Sequence, residues 1–168
     1  MNQRSHIVVR SMTPGDNAQV RAVIGAAWAV NYTHIYEPAE LDAIITGRMP
    51  QSATWLKYRA ERLPSCVAEV DGHVDGVIGL SLLVDGDGEI TQLYIHPAAQ
   101  GRGTGAALWR QGLAALRAAG CDRAWVWALE KATQAVDFYT RQGGQPTGRG
   151  IFSVGDHDET AIGFVFEL

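Results

Sequence analysis

The sequence predicts an α+β domain with a largely antiparallel sheet, and the order of its elements carries this prediction. Strand-like and helix-like segments follow one another as β-α-α-β-β-β-α-β-α-β-β, without the repeated βαβ alternation of a doubly wound fold. The chain has 168 residues, no internal repeat and no low-complexity linker. One domain over residues 1–168, with enough interior for a core, is therefore expected.

The first part of the chain combines one strand with helices. The β-branched run His6–Arg10 predicts the first strand. Apolar residues at helical spacing follow Thr13, which can cap a helix that has a proline in its first turn. Further helices are expected from about Glu37 to Thr46 and from Ser52 to Arg62, and Pro64 ends this helical region.

Three strands joined by short polar turns are expected next. Cys66–Val70 and the β-rich run from Val74 flank an Asp-Gly sequence, which is a strong hairpin signal. A second turn, Asp85–Gly88, leads into the strand-like stretch Glu89–His96. This region predicts the antiparallel part of the sheet.

The last part of the chain predicts two helices and three strands. After a glycine-rich loop, Trp109, Leu113 and Leu116 mark one apolar helix face at i, i+4 and i+7, with Gly120 as C-cap. The remaining elements are a strand, a short helix stopped by a glycine and a terminal hairpin: Arg123–Leu129, Thr133–Gly143, Gly150–Val154 and Thr160–Leu168.

Composition and charge exclude several classes of function. No apolar run approaches the roughly 20 residues of a membrane-spanning helix, and residues 1–16 lack the features of a signal peptide. The net charge is −4 without a basic block, so neither nucleic acid nor a membrane is an expected partner. Cys66 and Cys121 form no CxxC pair. We expect a cytoplasmic protein with two reduced thiols and no metal site.

The loop before the long helix has the composition of an anion-binding site. Gly101, Gly103 and Gly105 surround the point where strand gives way to helix, and Arg102 adds a positive charge. Glycines permit positive φ and remove Cβ atoms that would hold a phosphate away from the amides of a helix N-terminus. A pyrophosphate cradle is one interpretation of this spacing, and a tight strand-to-helix turn is the other.

Two phosphate-binding motifs do not match this loop. A Walker loop requires Gly-Lys-Ser/Thr at its end, whereas Gly105 is followed by Ala106 and Ala107. At the third glycine position of the dinucleotide fingerprint this sequence has Ala106. The parallel βαβ unit that normally surrounds the fingerprint is also missing, because the loop follows an antiparallel meander. An ATP- or NAD-dependent enzyme is therefore not expected.

The motif Gln100–Gly105 resembles the Q/R-x-x-G-x-G/A signature of the GNAT superfamily of N-acetyltransferases, and Phe138–Gly144 resembles its downstream "FYxxxGF" segment. The resemblance implies a mixed sheet splayed between its fourth and fifth strands, with acetyl-CoA in the splay. The pyrophosphate would lie on the amides of residues 102–106, and the pantetheine arm along strand four. The implied cofactor-binding residues are Leu93, Tyr94, Ile95, Gln100, Gly101, Arg102, Gly103, Thr104, Gly105, Ala106 and Phe138.

Acetyl transfer to an amine requires a proton donor for the thiolate, and the amine must lose a proton. Tyr139 matches the family's tyrosine at the coenzyme sulfur, although it can equally be a packing residue beside Phe138. Glu89 resembles the general base of the histone-acetylating branch, and alternation would place it on one face with Leu93 and Ile95. A solvated Glu89 is the other interpretation. Weaker candidate bases are Glu130 and His96.

The acceptor is expected to be an amine of a small molecule or of a peptide or protein. By resemblance, the segment after the first strand supplies its pocket, where Tyr32 and Tyr36 are expected to be open and Trp28 buried. Aromatic rings there could hold a cationic amine. Homodimers are common in this family, so the resemblance admits a homodimer.

Two positions depart from the family pattern. Ala132 stands where an asparagine often contacts the pantetheine, and Gly144 stands where an aromatic residue follows the final glycine. They leave open a second hypothesis, a non-catalytic CoA-binding sensor or interaction module with the same fold.

Overall fold

The structure is a computed structural model that describes residues 6–46 and 59–168. One seven-stranded sheet runs through this part of the protein. The spatial order is β1-β2-β3-β4-β5-β7-β6, and every neighbouring pair is antiparallel except β4 and β5, which are parallel. The strands are β1 Ile7–Ser11, β2 Arg59–Val70, β3 His73–Leu83, β4 Gly88–Ile95, β5 Arg123–Leu129, β6 Gln145–Val154 and β7 His157–Glu167. The predicted fold class is confirmed.

Helices cover both faces of this sheet. Because successive side chains of a strand point to opposite faces, Val77 and Ile78 of β3 enter different cores. Ile78 packs with Leu108 and Leu116, whereas Val77 packs with Val20. The described helices are α1 Asn17–Asn31, α2 Pro38–Thr46, α3 Thr104–Ala118 and α4 Thr133–Arg141. Within the described ranges, every helix is too short or too polar to cross a bilayer.

The helix predicted from Ser52 to Arg62 is wrong where the structure describes it. Residues 52–58 lie outside the described residues, but Arg59 and the three residues after it form the start of β2. Pro64 lies inside this strand, at a register irregularity between Leu63 and Cys66. β1 pairs with β2 from Cys66 onward. Pro64 is thus tolerated because it lies at a bulge, before the pairing with β1 begins.

The parallel pair β4–β5 separates soon after it starts. Gly88–Ile90 pair with Ala124–Val126, and the pairing ends there. β4 continues along β3 as far as Ile95, and β5 continues along β7 as far as Leu129. The sheet therefore opens between its fourth and fifth strands, as the resemblance implied.

A bulge in β4 changes which side chains share a face. Leu80 pairs with Ile90 but Gly79 pairs with Gln92, so Thr91 is an extra residue in β4. Ile90, Leu93 and Ile95 consequently all pack on the α3 side of the sheet. Glu89 lies on the opposite face, together with Tyr94, which packs on the α1 side. The predicted common face of Glu89, Leu93 and Ile95 is wrong because simple alternation does not count the bulge.

The entry to α1 is fixed by one carboxylate. Asp16 accepts hydrogen bonds from Arg10 Nη1 and Nη2 at 2.8 and 2.9 Å, and from the Thr13 amide at 2.7 Å. Asp16 ends a single 3-10 turn that begins with Pro14 and precedes α1. Thr13 caps this turn, whereas the sequence placed it at the start of the helix itself, whose N-cap is Asp16. The Arg10 guanidinium and the Thr13 amide hold the pKa of Asp16 well below its usual range. Asp16 thus connects β1 to α1, the helix that covers one face of the sheet.

The substitution Asp16→Asn is expected to make the free energy of unfolding depend less on pH in the acidic range. Because the folded pKa of Asp16 is lowered, its contribution is complete above the unfolded pKa of about 3.9 and is lost as the pH falls below it. The variant should be less stable than the wild type at pH 7, and the difference in the free energy of unfolding should narrow as the pH falls from about 4 toward 2. Urea unfolding across this range measures the effect. Asp42→Asn, at an exposed position of α2, is the control, and parallel stability curves for Asp16→Asn and wild type would contradict the role of Asp16.

Candidate functional site

Two cavities adjoin where β4 and β5 separate. The outer cleft, of about 400 Å³, extends from the glycine loop to α4. The inner cavity, of about 130 Å³, extends between the separating strands toward Arg59 and Phe152. The residues that line both spaces are Tyr32, Leu93, Tyr94, Ala135 and Tyr139. The two cavities therefore meet beside Tyr139.

The glycine loop forms one end of the outer cleft. Gly101 and Gly103 have φ of +73° and +92°, and a Cβ at either position would meet no atom within 4 Å. The first hydrogen bond of α3 runs from the Ala107 amide to the Gly103 carbonyl at 3.0 Å. The preceding amides of the first turn therefore have no acceptor within the helix, and they lie at its positive end. This geometry fits an anion.

The predicted loop residues differ in what they offer a ligand. Gln100 lines the outer cleft with Gly101, Gly103, Gly105 and Ala106, and its Nε2 donates to the Ile95 carbonyl at 3.2 Å. Arg102 is exposed. The Thr104 side chain is 1% exposed, and in the described part of the chain its hydroxyl has no hydrogen-bond partner. Thr104 can thus reach a ligand in the cleft through its amide alone.

The edge of β4 forms one side of the outer cleft. Leu93, Tyr94 and Ile95 line it, and β4 has left β5 by this point. Since each strand residue carries one backbone donor and one acceptor, the edge that faced β5 can pair with an extended ligand. The geometry is consistent with the predicted pantetheine contact.

Tyr139 lies in α4 at the junction of the two cavities. Its ring packs against Trp109, Phe138 and Phe164, with centroid distances of 5.6, 5.4 and 5.9 Å. Burial raises the pKa of Tyr139 well above its usual value, so its phenol stays protonated at neutral pH. The ring has the packing role considered above, and its position on both cavities leaves it as the candidate proton donor. Phe138 also lines the outer cleft.

Glu89 is buried at the inner cavity and is paired with Arg59. Its side chain is 2% exposed and accepts from Arg59 Nε at 2.5 Å and Nη2 at 2.8 Å. The interpretation of Glu89 as a solvated residue is therefore wrong. Sequence reasoning missed Arg59 because the residue was assigned to a helix, and no local pattern connects two residues 30 positions apart.

The aromatic residues of α1 and the segment after it separate into core and cavity residues. Trp28 is 1% exposed, as predicted, and Tyr32 stacks on it with centroids 4.1 Å apart. Tyr32 lines both cavities. Tyr36 is 4% exposed and packs near Trp28 and Phe152, so the prediction of an open Tyr36 is wrong. Its predicted contact with an acceptor has no support in this packing.

The weaker candidate bases have structural partners. His96 accepts from the Ala98 amide at 3.2 Å and caps a short 3-10 turn. Glu130 pairs with Arg149 at 2.8 Å, and both side chains are exposed. Neither His96 nor Glu130 is among the residues found to line either cavity in the described part of the chain.

Packing explains one of the two departures from the family pattern. A Cβ at Gly144 would lie 2.6 Å from Phe166 Cζ and 3.1 Å from Phe164 Cδ1. The aromatic rings of β7 therefore fill the space that an aromatic residue at this position would need. Ala132 precedes α4 and lines the outer cleft, with no side-chain hydrogen bond to offer there.

Comparison with known proteins gives a family and a fold. The model of the acetyltransferase (GNAT) family matches residues 27–144. An uncharacterised N-acetyltransferase of Mycobacterium bovis is 32% identical over 121 residues, which are 70% of this chain and 76% of that protein.

Two solved structures share the fold at low sequence identity. PaiA N-acetyltransferase of Thermoplasma acidophilum, in complex with coenzyme A, has a TM-score of 0.74 at 16% identity over 94% of this chain and 98% of that one. The putative acetyltransferase YncA of Salmonella typhimurium, with acetyl-CoA, has a TM-score of 0.67 at 18% identity over 98% of this chain and 95% of that one.

Arg59→Met is expected to destabilise the protein by about 3–5 kcal/mol because it leaves Glu89 buried without its guanidinium partner. The double variant Arg59→Met/Glu89→Leu should recover most of this loss, since it removes both charges. Urea unfolding at pH 7 measures both variants. Arg62→Met, at an exposed position of the same strand, is the control. Equal stability of Arg59→Met and this control would show that the ion pair does not stabilise the fold.

Proposed function

The chain belongs to the acetyltransferase (GNAT) family, and on that premise we propose that it transfers the acetyl group of acetyl-CoA to a primary amine. The acceptor is an amine of a small molecule or of a peptide or protein. One observation supports this most directly: the separated strands bring the glycine loop, the edge of β4 and Tyr139 around a single cleft.

The outer cleft suits an elongated donor with an anionic part and a backbone-like arm. In the proposal, the loop amides of residues 102–106 bind the pyrophosphate, and the edge of β4 at Leu93–Ile95 pairs with the pantetheine. Phe138 packs beside the arm. Acetyl-CoA would supply the activated thioester, and a backbone amide of β4 would polarise its carbonyl.

The reaction at the junction of the cavities consists of one bond exchange and three proton transfers. The acceptor nitrogen attacks the thioester carbon, so a C–N bond forms and the C–S bond breaks. The amine proton leaves to solvent or to a base, and Tyr139 gives its phenolic proton to the thiolate and recovers one from solvent. Glu89 is a candidate base whose two oxygens accept hydrogen bonds from Arg59.

Gly103→Val is expected to weaken acetyl-CoA binding by at least tenfold, on the order of one lost charge-assisted hydrogen bond. A β-branched side chain at φ of +92° strains the loop and fills the cradle where the anion would lie. Isothermal titration with acetyl-CoA, with ATP and NAD as negative controls, measures the affinity.

Gly120→Val is the matched control for this experiment. Gly120 follows the other end of α3 with φ of +89° and equally open space, so it imposes the same backbone strain away from the cleft. Circular dichroism verifies that both variants fold. Unchanged affinity in folded Gly103→Val would contradict the cradle, and absence of acetyl-CoA binding by the wild type would contradict the proposed donor.

Tyr139→Phe is expected to lower thiol release by roughly 10²–10⁴-fold while acetyl-CoA affinity stays unchanged, because the phenol acts on the leaving thiolate and not on binding. A thiol-detecting assay with a panel of primary amines gives the rate. Tyr36→Phe removes a buried phenol that lies outside both cavities and serves as control. Acetyl-CoA binding without thiol release from any amine in the wild type would instead indicate the non-catalytic CoA-binding module.

A further inference from the structure

The inner cavity combines aromatic walls with one buried ion pair. Trp28, Tyr32, Trp127 and Phe152 supply the aromatic surface, and Arg59 and Glu89 supply the charges. A buried ion pair is often no more stabilising than apolar residues of the same shape. Apolar residues could therefore fill this space as well as the ion pair does. The charges of the pair affect which ligands the cavity can bind.

Arg59 is the more exposed member of the pair. Its side chain is 19% exposed, against 2% for Glu89, and both residues line the cavity. A guanidinium has five N–H donors, and two of them bond Glu89 through Nε and Nη2. Within residues 6–46 and 59–168, no second acceptor for Arg59 is found. With respect to the described residues, three donors of a fixed, planar fork therefore remain for an oxygen ligand.

The inner cavity sets how far the reacting amine lies from Arg59. The amine must reach the junction at Tyr139, since both cavities meet there. An acceptor that fills the inner cavity from this junction places its other end among the aromatic walls and Arg59. The volume of about 130 Å³ suits a molecule of a few heavy atoms.

We propose that the acceptor is a small amino acid, a primary amine that also carries a carboxylate, and that Arg59 determines this specificity by binding the carboxylate. The inference rests on the proposed function and names its substrate class. Planar, bidentate binding of a carboxylate is the recognition for which an arginine fork is best suited. Glu89 holds the guanidinium in place and balances its charge. A carboxylate accepts from the remaining donors of Arg59, whereas a simple amine offers them no acceptor.

The wild-type enzyme tests the substrate class without any substitution. Acetylation of alanine and serine, which match the size of the inner cavity, is compared with acetylation of alaninamide and serinamide, as kcat/KM per concentration of free amine. We expect each acid to exceed its amide by at least tenfold, because a charge-assisted hydrogen bond is lost in the amide. Dipeptides that begin with the same residues form a third arm.

Three outcomes would overturn the proposal: amides equal to or better than acids, dipeptides equal to or better than acids, or no acetylation of any amino acid by protein that binds acetyl-CoA. The proposed function itself is contradicted by a failure to bind acetyl-CoA or by the absence of thiol release with every amine of the panel. Thiol release with other amines but not with amino acids contradicts only the substrate class, so the two failures are distinguishable.

Substitutions then test whether Arg59 causes the preference for the acid over the amide. Arg59→Met/Glu89→Leu should bring the ratio of acid to amide close to one, whereas Glu89→Gln keeps the fork and should keep the acid preferred. Arg62→Met, exposed on the same strand, should leave the ratio unchanged. A double variant that folds and still prefers the acid would overturn the role of Arg59. If the double variant does not fold, the ratio in Glu89→Gln and the wild-type comparison still decide.

Discussion

The short pairing of β4 with β5 is the constraint on which the rest of the site depends. Three residues of each strand pair in parallel, and each strand then follows its other neighbour. A continuous sheet would bury the edge of β4 and leave no space beside it. Because the pairing ends at Ile90, the backbone beyond it faces a cleft, and helices α3 and α4 close that cleft at either end.

The bulge at Thr91 divides β4 into two functional faces. Leu93 and Ile95 anchor the strand to the core under α3, while Tyr94 and Glu89 face the side covered by α1. A single extra residue thus lets one strand line the outer cleft with its backbone edge and the inner cavity with its side chains. The rigidity of this arrangement comes from packing, since Ile78, Ile90 and Leu108 are almost completely buried.

The Arg59–Glu89 pair connects the fold to the proposed specificity. It joins the beginning of β2 to β4 across the intervening β3, and both residues line the inner cavity. The same pair engages Glu89, the carboxylate that resembled a general base, whereas Tyr139 lies where the two cavities meet. The departures at Ala132 and Gly144 affect the surroundings of α4 and leave the glycine loop intact.

Local patterns in the sequence determined the element order, the glycine loop and the positions of Tyr139 and Trp28, because turn residues, apolar periodicity and short motifs act over a few residues. They could not show that Arg59 lies in a strand, that a bulge reverses the face of Glu89, or that Tyr36 is buried. Each of these depends on partners far away in the chain: Glu89 for Arg59, the register with β3 for the bulge, and β6 for Tyr36. Tertiary structure alone decided them, since burial and pairing are fixed only when distant segments pack together.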